Sequence, residues 1–311
     1  MHPTIKLALV GVGEIARNQH FPSIARHDGF ELAAAVSRNN TADGVTTYRT
    51  IDEMLNACPQ VDAVTLCQPP QARFAAAIAC VEAGKHVFLE KPPGATLAEV
   101  EALMAKAEAH GVTLFASWHS RFAPAVETAK TWLKATKIRS VDIQWRESVR
   151  RWHPGQRWIW EPGGMGVFDP GINALSIFTH LMPSAVHVTS ASLEVPEDCQ
   201  TPIAASLRFG DAAGTEMQAR FDWREEGDEV WQMAFETDAG TALLSGGGAV
   251  FSVNGEKLHE EPENEYVQLY DRFNTLVHHG ESDVDLRPLT LVADAFMLAE
   301  RRQTDAFHDA A

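Results

Sequence analysis

Lys91 has the sequence setting that most directly indicates chemistry. It follows an apolar run in the stretch FLEKPPGAT, and the two prolines after it prevent the chain from continuing as a helix or a central strand. A lysine whose backbone is fixed at the end of a strand can hold a positive charge at a defined point. We therefore interpret Lys91 as a candidate catalytic group, the alternative being a solvated lysine in a loop.

A second group of candidates lies in the stretch FDPGIN. The order Asp169-Pro170-Gly171 is typical of a helix start, with aspartate as the N-cap and proline at the first helical position. Asn173 follows one turn later, on the same face as Asp169. A carboxylate can act as a general base, whereas an amide cannot titrate and can only form hydrogen bonds. The competing interpretation is that Asp169 only caps the helix.

The first strand-like run ends in the sequence GVGEIA, a G-x-G-x-x-A pattern. Gly11 permits a tight turn, Gly13 lets the backbone approach a pyrophosphate, and Ala16 lets the helix and the strand pack closely. The N–H groups that begin the following helix are free to bind phosphates. The pattern predicts a dinucleotide site that also includes Glu14 and Ile15, the alternative being a glycine-rich turn.

The end of the second strand-like run decides which dinucleotide is preferred. A site for NAD is expected to have Asp or Glu there to bind the ribose 2′-hydroxyl, but this chain has Ser37 and Arg38. A hydroxyl and a permanently charged guanidinium suit a 2′-phosphate. We therefore predict that NADP is the preferred cofactor and that NAD is tolerated. The alternative is that Arg38 is only an exposed loop residue.

The first 120 residues contain the elements that must position these groups. Strand-like apolar runs alternate with helix-like segments, which predicts an α/β domain with a parallel, doubly wound sheet over residues 1–120. One helix-like segment, GEIARNQHFPSIARH, is expected to break near Pro22. The predicted strands are IKLALVG, FELAAAVS, VDAVTLCQ, HVFLE and VTLFAS.

The second half of the chain has a different pattern. Alternating strand-like runs are separated by turns rich in Gly, Asp and Asn, which predicts a largely antiparallel sheet in an α+β domain over residues 121–311. These runs are IRSVDIQWRES, TPIAASLRFG, TEMQARFDWR, EVWQMAFET and AVFSVNG. Helices are expected at about 264–278 and 287–304, and we expect helix 287–304 to pack back on the first domain.

Composition narrows the function classes. The formal net charge of −16 disfavours nucleic acid as a partner, because binding to its backbone depends on Lys and Arg neutralising phosphates. No apolar run is long enough to span a bilayer, and the N-terminus has no cleavage site after an apolar stretch. The histidines and the four cysteines lack the spacing of a metal site. We expect a cytoplasmic protein with reduced, mostly buried thiols and no metal.

These motifs together resemble the glucose-fructose oxidoreductase and inositol dehydrogenase family over the whole chain. The resemblance is carried by G-x-G-x-x-A, by CQPP at the end of the predicted strand VDAVTLCQ, by EKPPGAT and by Asp-Pro-Gly. It implies a Rossmann domain in which Gln68, Pro69, Glu90 and Lys91 contact the cofactor, with Lys91 between the nicotinamide and the substrate hydroxyl. It also implies a second domain with a large open sheet, through which a homodimer could form.

The stretch RWHPGQRWIWEPGGMGVFDPGIN resembles a branch of this family that oxidises the anomeric carbon of free L-arabinose or D-galactose to a lactone. Such a reaction opens a non-phosphorylated route of sugar degradation. The resemblance implies that Asp169 takes the O1 proton and that Lys91 stabilises the developing alkoxide. Lys91 as the base is the competing assignment. Asn173 stands where the wider family often has the histidine of D-x-x-x-H, and it would bind O1 or orient the carboxylate.

Sugar recognition requires several fixed polar groups and an apolar surface for the C–H side of the ring. The candidates for this task are His119, Glu147, Trp152, His153 and Trp231. The resemblance also implies that His119 contacts the cofactor. Each residue alone is a weak signal, because a lone histidine or tryptophan is more often structural. Glu147 could instead pair with Arg146 or Arg150.

L-Arabinose and D-galactose differ only by the hydroxymethyl group at C5. Such a group is worth about 1–3 kcal/mol in selectivity, so both sugars are expected to react. Two other functions stay open: a regulatory protein that binds NAD(P) without chemistry, and an oxidoreductase for a cyclitol, a glycoside or a biliverdin-like compound. The presence of Lys91, Asp169 and Asn173 together favours an enzyme, and the R-W-H-P-G-Q loop disfavours the other substrates.

Overall fold

The computed structural model describes residues 3–262 and 264–308, which divide into two compact units. Residues 3–119 and the later segment Tyr266–Asp285 form the first unit, and the other described residues form the second. The chain therefore leaves the first unit after residue 119, returns to it for one segment, and ends in the second. The sequence predicts a single boundary near residue 120 and does not predict the return segment.

Strands and helices are numbered along the chain. The strands are β1 (Ile5–Val10), β2 (Phe30–Val36), β3 (Thr47–Tyr48), β4 (Ala63–Leu66), β5 (His86–Glu90), β6 (Leu114–Ser117), β7 (Ile138–Arg146), β8 (His187–Pro196), β9 (Ala204–Gly210), β10 (Glu216–Asp222), β11 (Val230–Thr237), β12 (Gly240–Ser245), β13 (Val250–Val253), β14 (Glu256–Glu260) and β15 (Ala299–Thr304). The α-helices are α1 (Phe21–Arg26), α2 (Ile51–Ala57), α3 (Arg73–Glu82), α4 (Leu97–His110), α5 (Val126–Lys134), α6 (Val149–Trp152), α7 (Phe168–Leu181), α8 (Glu265–His279) and α9 (Arg287–Leu298).

The first unit contains a six-stranded sheet in the order β3-β2-β1-β4-β5-β6, and all neighbouring strands are parallel. Its strands are continuous apolar runs because a parallel sheet is covered on both faces, and every residue of β4 is buried. The predicted doubly wound α/β sheet is confirmed, with β3 as an additional edge strand. The strand order reverses between β1 and β4, and ligands of such sheets bind beyond the carboxyl ends of the strands at this point.

The helix after the first strand is interrupted, as the sequence predicts, but the interruption precedes the proline. A π-helical turn, Ala16–His20, leads into α1, and Pro22 lies in the first turn of α1. A proline is tolerated there because its missing N–H would have no partner within the helix. His20 ends the π-helical turn and is fully buried.

Helix α8 belongs to the first unit and packs on its sheet through aromatic side chains. Phe88 and Tyr270 stack with ring centroids 5.3 Å apart, and Phe115 and Phe273 stack at 6.0 Å. Aromatic side chains bury large apolar areas, so these contacts give the return segment its own source of stability within the unit.

The second unit contains a nine-stranded sheet in the order β14-β13-β12-β11-β7-β10-β9-β8-β15. Neighbouring strands are antiparallel except β7 with β10 and β8 with β15, so the predicted mostly antiparallel sheet is confirmed. Helices α5, α7 and α9 pack on β13, β7 and β8. Buried residues alternate with less buried ones along β7, as expected for a strand with one covered face.

The end of the chain differs from the prediction. Helix α9 ends at Leu298, and Ala299–Thr304 forms β15 beside β8. Residues 300–302 are exposed and charged, which suits an edge strand better than the buried face of a helix. Helix α9 packs against α7 and β8 in the second unit, so α8 and not this last helix is the one that belongs to the first unit. Within the described ranges no helix is long and apolar enough to span a membrane.

Candidate active site

The loop after β1 has the form of a phosphate-binding turn. Gly11 has φ +94°, and a Cβ there would lie 3.0 Å from the backbone N of Gln68, so only glycine fits. Gly13 is exposed, and a Cβ there would meet nothing within 4 Å, which leaves open space for a ligand to approach the backbone. Ala16 is fully buried, while Glu14 and Ile15 are exposed. This geometry fits a dinucleotide pyrophosphate.

The loop after β2 is tied to the phosphate-binding turn by Asn40. The Asn40 backbone N–H donates to Ser37 Oγ at 3.2 Å, and its side-chain Nδ2 donates to the Val12 carbonyl at 2.7 Å. Arg38 is exposed between them in sequence. Sequence reasoning missed Asn40, because its role depends on a contact 28 positions away along the chain. The bond leaves the Ser37 hydroxyl hydrogen available for a ligand.

The loop after β4 carries an acceptor without a partner. Gln68 is half-buried, and its Oε1 is buried without a hydrogen bond among the described residues. A buried amide oxygen of this kind is costly unless a donor reaches it, so a bound ligand with an N–H or O–H group would satisfy it. Pro69 is exposed beside it. Both residues follow the carboxyl end of β4, next to the point where the strand order reverses.

Arg73 connects this loop to the lysine loop, and the sequence gives no sign of it. The side chain is buried, and its guanidinium donates to the carbonyl oxygens of Gln68, Glu90 and Pro92. Two of those carbonyls flank Lys91. A planar fork of donors can hold several acceptors in fixed positions, which a lysine at this position could not do.

The Glu90 carboxylate is buried and accepts three hydrogen bonds. His20 Nε2 lies 3.0 Å and the Tyr266 hydroxyl 2.8 Å from Glu90 Oε1, and the backbone N–H of Lys91 donates to Oε2 at 2.7 Å. Burial alone would raise the pKa of Glu90. The hydrogen bonds from His20 and Tyr266 and the electrostatic interactions with His20 and His119 outweigh this effect and lower the pKa of Glu90 to about 2. The carboxylate is therefore ionised and turned toward protein groups.

His119 lies beside this carboxylate. Its ring stacks on Tyr266 with centroids 5.6 Å apart, and the side chain is half-buried at the end of the first stretch of the first unit. The sequence predicts His119 as a ligand for the sugar and the cofactor. The structure places it two residues after the end of β6, against the tyrosine that donates to Glu90.

In the second unit Asp169 lies inside the first turn of α7 and is not its N-cap. The helix begins at Phe168 with Val167 as the N-cap residue, and no side chain caps it. Pro170 is therefore the third helical residue, still within the turn where its missing N–H is tolerated. A Cβ at Gly171 would lie 3.1 Å from the Phe221 ring, so glycine lets α7 approach the sheet. The Asp169 carboxylate lies at the positive end of the helix dipole.

Asp169 has a histidine neighbour, although not the one typical of the wider family. Its side chain is buried, and Oδ2 lies 3.3 Å from Nε2 of His153. The other ring nitrogen of His153 lies 3.3 Å from Oε1 of Gln156, which also accepts from the Trp158 indole. The R-W-H-P-G-Q loop thus folds so that His153 faces the aspartate. Asn173 is half-buried one turn further along α7.

Glu147 follows β7 and is held by two tryptophans. Trp223 Nε1 donates to Oε1 at 3.2 Å, and Trp231 Nε1 donates to Oε2 at 2.9 Å. Trp231 lies on β11 and Trp223 follows β10, the two strands that flank β7. Arg146 and Arg150 pair instead with Glu225 and Glu226, so the alternative pairing with Glu147 is not formed.

Aromatic rings connect the two carboxylates of the second unit. The His153 ring lies 5.3 Å from the ring of Trp223, which holds Glu147. Trp152 is 43% exposed, its indole donates to Glu229 at 2.6 Å, and its ring lies 5.9 Å from Trp231. Sequence reasoning missed Trp223, since one tryptophan among eight has no local signal.

This arrangement can bind a polyhydroxylated ligand and accept a proton. Oriented carboxylates beside aromatic rings are typical of sugar sites, and a buried aspartate beside an imidazole can serve as a base. Among the residues that the structure describes, no three His, Cys, Asp or Glu side chains are grouped to hold a metal ion.

Comparisons with known proteins agree with this chemistry. Residues 5–117 match the model of an oxidoreductase family with an NAD-binding Rossmann fold. A galactose 1-dehydrogenase from Pseudomonas fluorescens is 44% identical over 305 residues, 98% of this chain and 99% of that protein.

Two solved structures are also similar to this chain. A D-galactose-1-dehydrogenase from Rhizobium etli superposes with a TM-score of 0.96 at 55% identity, covering 99% of both chains. A 3-ketoreductase from Actinomadura kijaniata in complex with NADP and TDP-benzene has a TM-score of 0.86 over 97% of this chain and 99% of that one. At 18% identity this second likeness concerns the fold alone.

Proposed function

The chain belongs to the glucose-fructose oxidoreductase and inositol dehydrogenase family, and on that premise we propose that it oxidises the C1 hydroxyl of an aldopyranose to a lactone. D-Galactose and L-arabinose are the proposed substrates, with NADP preferred over NAD. The observation that carries this proposal is the buried Asp169 in contact with His153, whose ring lies 5.3 Å from the ring of Trp223, one of the two indole donors to Glu147. The full-length similarity to galactose 1-dehydrogenases supports the choice of substrate class.

Asp169 is the proposed base. Its carboxylate would take the proton from the sugar O1 hydroxyl while the C1–O1 bond becomes a carbonyl. A bound nicotinamide cofactor supplies the hydride acceptor for C1. His153, 3.3 Å from Asp169, would fix the orientation of the carboxylate and stabilise its ionised form by donating a hydrogen bond.

Lys91 is proposed to stabilise the negative charge that develops on O1. A positive charge held at a fixed point stabilises an alkoxide more than it stabilises a neutral hydroxyl, so the interaction favours the transition state. Asn173 lies one turn from Asp169 on α7 and can donate to O1 or to the carboxylate. The competing assignment, Lys91 as the base, is separated by the pH profile. An acidic limb of kcat/KM, the fall in activity at low pH, that survives Asp169→Asn unchanged would favour Lys91, because a required base must first lose its proton.

Glu147 is proposed to bind sugar hydroxyls. Each of its oxygens accepts one indole N–H, which orients the carboxylate, and a carboxylate oxygen can accept more than one donor. Trp152 and Trp231 offer ring faces for the C–H side of the pyranose, and His153 and His119 offer polar contacts. Discrimination between the two sugars would depend on the space at C5.

The preference for NADP is proposed from Ser37 and Arg38. The Ser37 hydroxyl is oriented by Asn40 and can donate, while the exposed Arg38 guanidinium can pair with a 2′-phosphate. Gly11, Gly13, Glu14, Ile15, Ala16, Gln68, Pro69 and Glu90 are retained as residues of the cofactor site or its support.

We also propose a homodimer that forms through the less covered face of the nine-stranded sheet. On that face Asp142 accepts hydrogen bonds from Gln144 and Gln218, so the surface is polar and partly prearranged. Sedimentation velocity over a range of protein concentrations tests this, and a monomer at all concentrations would exclude it.

The test of the function is an initial-rate assay of reduced cofactor with D-galactose, L-arabinose, D-glucose, D-xylose and myo-inositol, each with NADP and with NAD. The proposal predicts turnover of the first two sugars with NADP favoured. Absence of turnover over the whole panel, with NADP binding still measurable by calorimetry, would exclude the proposed substrates and favour a non-catalytic role.

A further inference from the structure

A buried polar cluster in the first unit surrounds the peptide that precedes Lys91. Its members are Glu90, His20, Tyr266 and Tyr270, and each is buried. Tyr266 and Tyr270 come from α8, the return segment, so they are 176 and 250 positions from their partners Glu90 and His20. No motif in the sequence predicts that these tyrosines contact Glu90 and His20.

The hydrogen bonds of the cluster converge on the Glu90 carboxylate. The Tyr270 hydroxyl lies 2.8 Å from His20 Nδ1, and His20 Nε2 lies 3.0 Å from Glu90 Oε1. Either as a neutral ring or as a cation, the imidazole can donate its Nε2–H to the carboxylate while Tyr270 satisfies the other nitrogen. The Tyr266 hydroxyl is the second donor to the same oxygen, at 2.8 Å.

Glu90 links this cluster to the backbone of Lys91. With Oε1 occupied by two donors, the other oxygen accepts the Lys91 backbone N–H at 2.7 Å. Arg73 holds the carbonyls on both sides of Lys91. The peptide groups around the lysine are therefore fixed by charged partners, and charge-assisted hydrogen bonds are the strong ones.

A buried carboxylate is costly unless donors compensate it, and three donors do so for Glu90. Replacing a buried ionic cluster by apolar residues is often neutral or stabilising. The stretch from β5 into the lysine loop could be held by ordinary apolar contacts, as the neighbouring Phe88 and Leu89 are. What an apolar cluster could not do is bind the Lys91 N–H.

We propose that Tyr266 is a positioning residue for Lys91: its hydroxyl, together with His20, fixes the Glu90 carboxylate that holds the lysine backbone in the reacting geometry. This rests on the proposed sugar oxidation. The return of the chain to the first unit thereby serves the reaction, since α8 delivers the hydroxyl that completes the cluster. A small displacement of a catalytic group lowers kcat, while the binding of substrate and cofactor in the ground state is little affected.

The test compares three single hydroxyl deletions. Tyr266→Phe removes the donor to Glu90 and keeps the ring that stacks on His119. Tyr270→Phe removes the contact one step further away, and Tyr48→Phe is the control, because Tyr48 contacts Cys58 outside the cluster. We expect kcat to fall about 10-fold to 100-fold for Tyr266→Phe. We expect a smaller fall for Tyr270→Phe and none for Tyr48→Phe, with the KM for the sugar and the Kd for NADP little changed.

Glu90→Gln is a fourth variant, which changes the carboxylate itself. With its amide oxygen facing His20 and Tyr266, its NH₂ group would face the Lys91 N–H, two donors against each other. We expect kcat to fall at least as far as for Tyr266→Phe. A rise in KM without a fall in kcat, in either variant, would overturn the positioning role.

A readout that does not need turnover separates this inference from the proposed function. Reductive ¹³C-methylation of the lysines gives one NMR signal for Lys91, assigned by its absence in Lys91→Arg. We expect this signal to shift in Tyr266→Phe and to stay in Tyr48→Phe, while the Lys106 signal does not move. If the wild type oxidises no sugar but the Lys91 signal responds, only the proposed function fails. If Tyr266→Phe leaves both kcat and the Lys91 signal unchanged, the positioning role is excluded.

Discussion

The two units of the chain control their charged groups in different ways. In the first, Lys91 is fixed through its backbone, because the Glu90 carboxylate binds its N–H and Arg73 binds the carbonyls on both sides. In the second, Asp169 and Glu147 are held directly at their carboxylate oxygens by an imidazole and two indoles.

The difference follows from the side chains. Lysine carries its charge at the end of a flexible four-carbon chain, so fixing the start of that chain is the means by which buried groups can limit its range. Aspartate and glutamate are shorter, and a single donor on an oxygen fixes their orientation. The comparison therefore predicts that remote substitutions affect the lysine, whereas adjacent ones affect the carboxylates.

The largest effect is expected at Asp169. Asp169→Asn keeps the shape and the contact with His153 but cannot take a proton, so we expect kcat/KM to fall by about 10²–10⁴-fold. Initial rates with D-galactose and NADP check this. Asp238→Asn is the matched control, since Asp238 accepts a backbone N–H at an exposed turn of the same unit and its amide can still do so. Near-normal activity of Asp169→Asn would remove the aspartate from the mechanism.

Lys91→Met is expected to be the next largest. Losing the charge that stabilises the alkoxide should lower kcat by about 10²–10³-fold with the Kd for NADP little changed. Lys106→Met, which removes a surface pair with Glu82 in the same unit, serves as the control. Equal losses in the two variants would show that the charge at residue 91 has no special role.

Arg38→Ala tests whether a residue of the first unit sets the preference for NADP over NAD without affecting sugar binding. Removing the guanidinium should lower the NADP-to-NAD ratio of kcat/KM by about 10-fold to 100-fold, as expected for a charge-assisted contact. The KM for D-galactose should stay the same. An unchanged ratio would contradict the assignment of Arg38 to the 2′-phosphate.

Trp231→Phe and Trp223→Phe test whether the indole hydrogen bonds orient the Glu147 carboxylate. Each removes one indole donor and keeps an aromatic ring, so we expect the KM for the sugar to rise about 10-fold, with a smaller change in kcat. Trp132→Phe, on α5 against Phe251, is the control for loss of an indole. If kcat falls and KM stays constant, Glu147 acts on the transition state and not on sugar binding.

The smallest expected effect is the dependence of folding stability on acidic pH, which tests Glu90 in the first unit. The pKa of Glu90 is lowered to about 2, so its ionised form stabilises the folded state above the ordinary value of 4.5. That stabilisation is lost as the pH falls through the folded-state value. We measure the free energy of unfolding in urea at pH values between 4.5 and about 2. As the pH falls over this range, it should decrease more for the wild type than for Glu90→Gln. Parallel losses in the two proteins would contradict the ionised, hydrogen-bonded carboxylate.

The same comparison explains what could be predicted from the sequence. In the first unit, the proposed site residues lie in short motifs: G-x-G-x-x-A, the Ser37-Arg38 pair and the Lys91 loop each depend on residues close together in the chain. The parallel sheet, the mostly antiparallel sheet and the family are confirmed. Strand-like alternation and turn residues are local signals, and they are sufficient for a fold class.

The partners of those residues could not be predicted in this way. Arg73, Tyr266 and Trp223 act through contacts that form only when distant segments meet, and buried polar side chains have no periodic signal. Helix α7 begins two residues earlier than predicted, with Val167 and not Asp169 as the N-cap residue, and the capping pattern alone does not reveal this. Residues 299–304 form a strand because the edge of the sheet offers backbone partners that the sequence pattern does not reveal.

The measurement that tests the central claim most directly is the fate of deuterium from D-galactose labelled at C1, incubated with the protein and NADP and analysed by mass spectrometry. Oxidation at the anomeric carbon predicts deuterium in the reduced nicotinamide and a lactone without it. A reduced cofactor without the label, or deuterium retained in the sugar product, would contradict hydride transfer from C1.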